Sequence, residues 1–377
     1  MMAKLITHQI DAKVAAILKD FTQDKDLISG LFNEFYKFSI DEGDYDEKRL
    51  IRFLFKKYLK FTTWDKPFEK VNWEIPFKYK GISASVAHQK FGFRIYISNK
   101  VDEAVAKKLF EEILQRIELC LSLIEPAIRE IGILSLKNGE VIVENKFQEI
   151  EKEFKFFLRE ARRKQKRSNM PTTLTLSGNL GKINYKHYEQ AAYLSDATYI
   201  AFFSLVEHLC LLGLAFTNSP QRYQLEKYSK LNWQDKFKEI IPINDPEFNA
   251  CYNNLVNLAK YRRNPTAHGY LDKTHAIFHF YLPEAAHRIP MGLYDRELFY
   301  RLKSGENLKV LEDFLQLVKK SKLTKKIMWY INAGFDVFYE SDSFKRYQEY
   351  MNLSDAGAKE YLEYEGRIAD NNANMDW

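Results

Sequence analysis

The sequence predicts a mostly helical protein, with an N-terminal α+β domain that carries a small antiparallel sheet and a C-terminal helical bundle. Three observations predict it. Apolar residues recur at helical spacing over most of the chain. Period-two alternation is confined to one window, Val71 to Ser98. A stretch poor in charge and rich in Ser, Thr, Gly and Pro, Ser168 to Lys182, separates two helical regions. The expected division is residues 1–170 as the α+β domain, 171–183 as linker, 184–290 as the bundle, and 291–377 as a helical extension with an acidic tail.

Composition narrows the class. With 46% hydrophobic and 29% charged residues, the chain is neither disordered nor low in complexity, and 377 residues are enough to bury a sizeable core. The balance of 57 Lys and Arg against 51 Asp and Glu gives a net charge of +6, too mild to establish nucleic-acid binding by itself. Cys120, Cys210 and Cys251 lie far apart and form neither a disulfide framework nor a zinc pattern. The first twenty residues lack an apolar core followed by small residues, so no signal peptide is expected, and a reducing cytoplasmic setting is. The longest apolar stretch, Tyr199 to Phe216, holds Glu207 and His208 at its centre, which predicts a buried helix and not a membrane span.

Taken in order, residues 9–60 read as helices, with Leu27, Leu31, Phe35 and Phe38 on one face and Leu50, Phe53, Leu54 and Tyr58 on another. The acidic run Asp41 to Glu47 between them lacks calcium-loop spacing and reads as a solvated capping loop. Val71 to Ser98 reads as two or three antiparallel strands, joined by Gly81 and by a turn at Gln89-Lys90. Helix returns over Val101–Ile131, a hairpin is expected at Ile133–Val143 around Asn138-Gly139, and a charged helix runs from Asn145 to Arg167. After the linker come a long helix over Tyr185–Phe216, a short one at Trp233–Ile241, and one opened by Asp245-Pro246-Glu247 that runs to Arg262 or Arg263. Asp295–Lys303, Leu308–Lys320 and Lys326–Phe344 read as helices, and a polar tail starts at Asp355.

Two cationic or phosphate-like features need weighing. The charged helix ends in Arg159, Arg162, Arg163, Lys164, Lys166 and Arg167, which reads either as an RNA-backbone contact or as a solvated end whose cations complement the helix dipole. Arg262 joins the expected RNA-binding set. The Gly178–Lys182 segment has Leu176 and Ile183 where a phosphate loop needs Gly and Ser or Thr, so it is rejected.

The densest chemistry sits in Tyr261-Arg262-Arg263-Asn264-Pro265-Thr266-Ala267-His268-Gly269-Tyr270. On an unbroken helix Arg263 and His268 would stand about 140° apart. Pro265 is expected to end the helix near Arg263, with Asn264 capping a new one, so that guanidinium and imidazole converge at a helix N-terminus suited to anions. No His, Asp or Glu grouping has metal spacing; His275, His279 and His287 are interrupted by Pro283 and read as ordinary histidines.

Arg263-x4-His268, with Asn264 after the arginine, resembles the motif of HEPN-domain proteins. AFFSLVEHLCLLGLAF resembles the family's long apolar helix with an embedded polar residue, here Glu207, and FNACYNNLVNLAKYRRN resembles the helix that delivers the arginine. The resemblance spans about residues 185–290. It implies a HEPN-like bundle and a metal-independent endoribonuclease of toxin or antiphage systems. Arg263 and His268 would be catalytic and assisted by Asn264, Glu207 would give support, and no cofactor would be needed. Because the chain has one such motif, the resemblance implies a homodimer acting on RNA, with an antitoxin or regulatory partner and no membrane. Tyr270 extends the match to toxins whose tyrosine is nucleotidylated, and equally reads as a packing residue. The alternative is an inactive HEPN nucleotide-binding or assembly module.

Overall fold

Period-two alternation, once paired, sends every second side chain to one face of a sheet. A computed structural model describes residues 2–25, 34–40, 50–68, 70–90, 92–168, 185–264, 278–282, 287–291 and 304–374. It divides the chain into two compact units, Met1–Leu134 with Glu363–Trp377, and Ser135–Leu362.

The first unit is built on the predicted strands. β4 (Val71–Tyr79), β5 (Ile82–Gln89) and β6 (Gly92–Ser98) pair antiparallel, with Ile75 opposite Val86 and Val86 opposite Ile95. Lys80 (φ 49°) and Gly81 (φ 83°) both adopt left-handed conformations, as a two-residue hairpin turn requires. β1 (Phe21–Gln23) and β3 (Trp64–Phe68) pair with opposite ends of β4, and β2 (Phe35–Ser39) pairs with β6, completing six strands. Trp73, Ile75, Phe77, Tyr79, Val86, Ile95 and Ile97 form one buried face. It shares a core with α1 (Met2–Ile17), with α2 (Leu50–Leu54, continued by a π turn at Phe55–Leu59), and with Ile113, Ile117 and Ile124 of α3 (Glu103–Asn138).

Several sequence expectations are corrected here. Phe35 and Phe38 were placed on a helix, but Phe35–Ser39 is a strand: the ladder with Arg94–Ser98 satisfies its backbone, and aromatic residues suit a pleated surface. The hairpin expected at Ile133–Val143 does not form. Asn138-Gly139 ends α3 instead: Gly139 has φ 72°, its N–H donates to Leu136 O, and Glu140 N–H reaches back to Ser135 O at 2.8 Å, a Schellman closure. β7 (Val141–Val143) then pairs with β10 (Val337–Tyr339). The helix expected over Lys326–Phe344 is broken by β10, with left-handed Gly334 (φ 85°) just past its first part. The tail from Asp355 is the helix α12 (Asp355–Asn374), with the Ser354 hydroxyl accepting from Gly357 N–H. Leu27, Leu31, Asp41 to Glu47, Gly178–Lys182 and Asp295–Lys303 lie outside the described residues, as does the 171–183 linker.

The second unit surrounds α5 (Tyr185–Gly213, continued by a 3₁₀ turn to Phe216). α4 (Phe147–Ser168) lays Phe147, Phe154, Leu158 and Ala161 into the same core as α5, so it belongs to this unit and not to the N-terminal domain where it was expected. The region after residue 291 is no separate extension either. α9 (Ser304–Lys320), α10 (Lys325–Asn332) and α11 (Ser341–Asn352) contribute Leu311, Phe314, Ile331 and Tyr347 to that core. α6 (Leu225–Ser229), α7 (Trp233–Ile240) and α8 (Pro246–Leu258) complete the helices, and β8 (Phe278–Leu282) and β9 (His287–Met291) form a hairpin within the expected bundle. His279 and His287 lie on that hairpin; His275 is outside the described residues.

Aromatic rings set the spacing of the helices. Phe202 of α5 meets Phe154 of α4 at 5.5 Å and Phe314 of α9 at 5.9 Å, while Phe203 meets Trp233 of α7 at 5.0 Å. Gly213 lets α7 approach: a Cβ there would stand 2.7 Å from the Ile240 side chain. Glu151 of α4 is bound by Lys319 of α9 and by Lys155; burial raises its pKa, but the two lysines outweigh this and hold it below the usual carboxylate value. α5 is long and apolar enough to cross a membrane, yet 72% of its apolar window is buried inside the protein. Removing the shared ring should therefore loosen three helices together. Phe202→Ala is expected to lower stability by about 3–5 kcal/mol, read as a fall in the urea midpoint; a loss under about 1 kcal/mol would contradict this packing.

Candidate functional site

The helix that carries Arg263 begins as the sequence predicts. Asp245 accepts from the N–H groups of Glu247 and Phe248 at 3.0 and 3.2 Å, and Pro246 occupies the first helical position. Phe248, Leu255 and Leu258 face the core. At Ala259–Arg263 the α-helix widens into a π turn, closed by Asn264 N–H donating to Ala259 O. Such a turn inserts one residue into the helical repeat and resets which face the following side chains occupy. Arg262, Arg263 and Asn264 are presented by this turn, all half-buried.

Arg263 faces Glu207 of α5. Its Nη2 lies 3.7 Å from Glu207 Oε1, and its Nη1 donates to Asn264 Oδ1 at 3.2 Å. The other carboxylate oxygen, Oε2, accepts from Lys236 Nζ of α7 at 2.9 Å. Lys236 is buried, its side chain only 6% exposed, against 31% for Glu207 and 28% for Arg263. Two cations thus converge on one anion, so these three groups sum to one positive charge.

One expectation about this segment is corrected. Asn264 was read as the N-cap of a new helix, which needs extended backbone; it has φ −63° and ψ −45° and is helical, and its side-chain oxygen takes the neighbouring guanidinium. Pro265, His268 and Tyr270 lie outside the described residues, so the expected meeting of Arg263 with His268 lies there too.

The remaining predicted residues are dispersed. His208, next to Glu207 in sequence, turns to α4, where its Nε2 accepts from Lys146 N–H at 3.0 Å. Within the basic cluster, Arg162 makes two hydrogen bonds to Glu312, at 2.9 and 2.5 Å. Arg163 pairs with Glu160 at 2.5 Å, Lys164 donates to Gln190, and Arg159 lies over the Phe156 ring and 3.8 Å from Glu160. Arg167 is exposed at the end of α4. Arg162 and Lys164 thus tie α4 to α9 and α5, while Arg159 and Arg163 are engaged along α4 itself. Arg262 lies near the buried Tyr199, whose hydroxyl has no hydrogen-bond partner among the described residues; burial pushes the Tyr199 pKa up to about 12 against the opposing charge of Arg262. Among the described residues no group of His, Cys, Asp and Glu could hold a metal ion.

Sequence reasoning missed Lys236. Its signal was present: in Trp233-x2-Lys236-Phe237-x2-Ile240 the lysine falls on the apolar stripe of its helix, where a charge needs a buried counter-charge. Compared with family models, with curated proteins and with solved structures, the chain matches none.

The His208 geometry has a consequence for pH. The imidazole accepts through Nε2, so the folded state favours its neutral form, and burial lowers its pKa below the ordinary 6.5. The unfolded chain therefore takes up this proton first as the pH falls. The stability that His208 contributes is complete above about pH 6.5 and is lost as the pH drops through the folded pKa. Thermal midpoints measured between pH 7.5 and 5.5 should fall more steeply for the parent than for His208→Gln; equal slopes would refute the assignment.

Proposed function

We propose that the chain is a metal-independent endoribonuclease of the HEPN type, acting as a homodimer in a cytoplasmic defence or toxin system. The observation that carries this reading is Arg263 on the π turn, half-exposed in a locally positive site, beside Asn264 and five positions before His268. A guanidinium so placed suits a phosphodiester, which it can hold through two parallel N–H bonds. His268, as an imidazole, would accept the proton of the ribose 2′-hydroxyl. The 2′-oxygen attacks phosphorus, the P–O5′ bond breaks, and the departing 5′-oxygen takes a proton, leaving a 2′,3′-cyclic phosphate. Arg263 would stabilise the charge that develops on the phosphoryl oxygens, and Asn264 would orient the guanidinium. One Arg and one His make a sparse site, so a second copy is expected to bring its own pair. Tyr270 would serve as a modification site for an antitoxin partner.

A second reading, an inactive HEPN nucleotide-binding or assembly module, is favoured by one observation: the cations Arg162, Arg163 and Lys164 are engaged within the unit. Labelled RNA incubated in EDTA with the parent, Arg263→Ala and His268→Ala separates the two. The nuclease reading expects cleavage by the parent and a loss of about 10²-fold or more in each variant. RNA left intact by all three, or cut equally by all three, would favour the module.

A further inference from the structure

We propose that Lys236 is a positioning residue: by holding one oxygen of Glu207, it keeps that carboxylate from closing on Arg263 and leaves the guanidinium available to an anion. The inference deepens the role proposed for Arg263 and rests on it, but it can be read without RNA.

The geometry carries it. A carboxylate and a guanidinium left to themselves form two short parallel hydrogen bonds. Here the ion pair stands at 3.7 Å, beyond hydrogen-bond range, although both side chains are half-buried and face each other. What differs from an isolated pair is Lys236. Its ammonium takes Glu207 Oε2 at 2.9 Å from a buried position. The α7 backbone beneath it is fixed in turn, since the buried Tyr228 hydroxyl donates to Lys236 O at 3.0 Å. A buried ammonium without a counter-charge is costly, so Lys236 holds its carboxylate more firmly than an exposed lysine would. Arg263 is left with Asn264 Oδ1 at 3.2 Å and a carboxylate already committed elsewhere. Two cations share one anion, which leaves a net positive charge for a phosphate to neutralise. Without Lys236, a shift of about 1 Å would bring Glu207 and Arg263 into a paired bond.

The test is the rate at which phenylglyoxal, an arginine-directed reagent, modifies Arg263 in the full chain, followed by peptide mass spectrometry. Lys236→Met should slow modification by about threefold or more, the size of a newly formed half-exposed ion pair. Lys236→Arg, which keeps a cation on Glu207, should react as the parent does. The double variant Lys236→Met/Glu207→Gln should regain the parent rate, because a neutral amide does not capture the guanidinium; a purely structural role for Lys236 would not be rescued this way. An unchanged or faster rate in Lys236→Met would overturn the proposal. Should that variant fail to fold, Glu207→Gln alone decides: a change under about twofold supports the proposal, and a gain above about fivefold shows that Glu207 already restrains Arg263 and overturns it. A 2′-O-methyl oligoribonucleotide gives the separate arm. Its affinity should follow the same order. If no form binds it while the reagent rates keep that order, the RNA reading fails and the positioning role stands.

Discussion

A carboxylate in the middle of the most apolar helix of the chain constrains the site around it. Glu207 cannot lie half-buried among Leu205, Val206 and Leu209 without cationic company. Two elements supply it: α7 brings a lysine from inside the core, and the end of α8 brings an arginine from its rim. The positions of those helices follow from aromatic contacts around Phe202, Phe203 and Phe237. The polar site is therefore set by apolar packing, and its charges are held where rings and backbone leave them.

That arrangement explains why the π turn matters. An α-helix continued straight from Asp245 would carry its last residues round by one regular repeat. The extra residue at Ala259–Arg263 changes that phase just where two arginines follow one another. Arg262 comes near Tyr199 and Arg263 reaches Glu207, so adjacent cations serve different neighbours on the same helix α5. The basic end of α4 shows a different outcome: Arg163 meets Glu160 one turn away on the same helix, and Arg162 ties α4 to Glu312 of α9, so charge that reads in sequence as a ligand surface is engaged within the unit.

Elements governed by local chemistry were legible. Asp245-Pro246-Glu247 announced a helix start because the cap, the proline and the acid each act within one turn. The strands from Val71 to Ser98 were legible because alternation and the Gly81 turn agree. What stayed hidden depends on distant partners. Phe35–Ser39 becomes a strand only because β6 offers an edge, and Val141–Val143 pairs with residues almost two hundred positions away. Asn138-Gly139 fits a hairpin turn and a helix end equally well, and here it closes α3 through the Glu140 N–H to Ser135 O bond. Of the site, Arg263 and Glu207 could be singled out by residue type, but not that they face each other. That Lys236 lies on an apolar stripe could be read too, but not its partner, since nothing local says which carboxylate a buried lysine meets. Asn264 was expected to cap a new helix because a following proline disfavours helical backbone, yet it keeps helical dihedrals after the π turn.

The whole account depends on where a phosphodiester sits. A crystal structure of the protein with a dinucleotide whose attacking 2′-hydroxyl is replaced by hydrogen would test this most directly, since such a ligand binds without being cut. The account predicts one phosphate with its oxygens about 3 Å from the Arg263 guanidinium and the His268 imidazole beside the 2′ position. A phosphate bound elsewhere, with Arg263 still turned to Asn264 and Glu207, would contradict it.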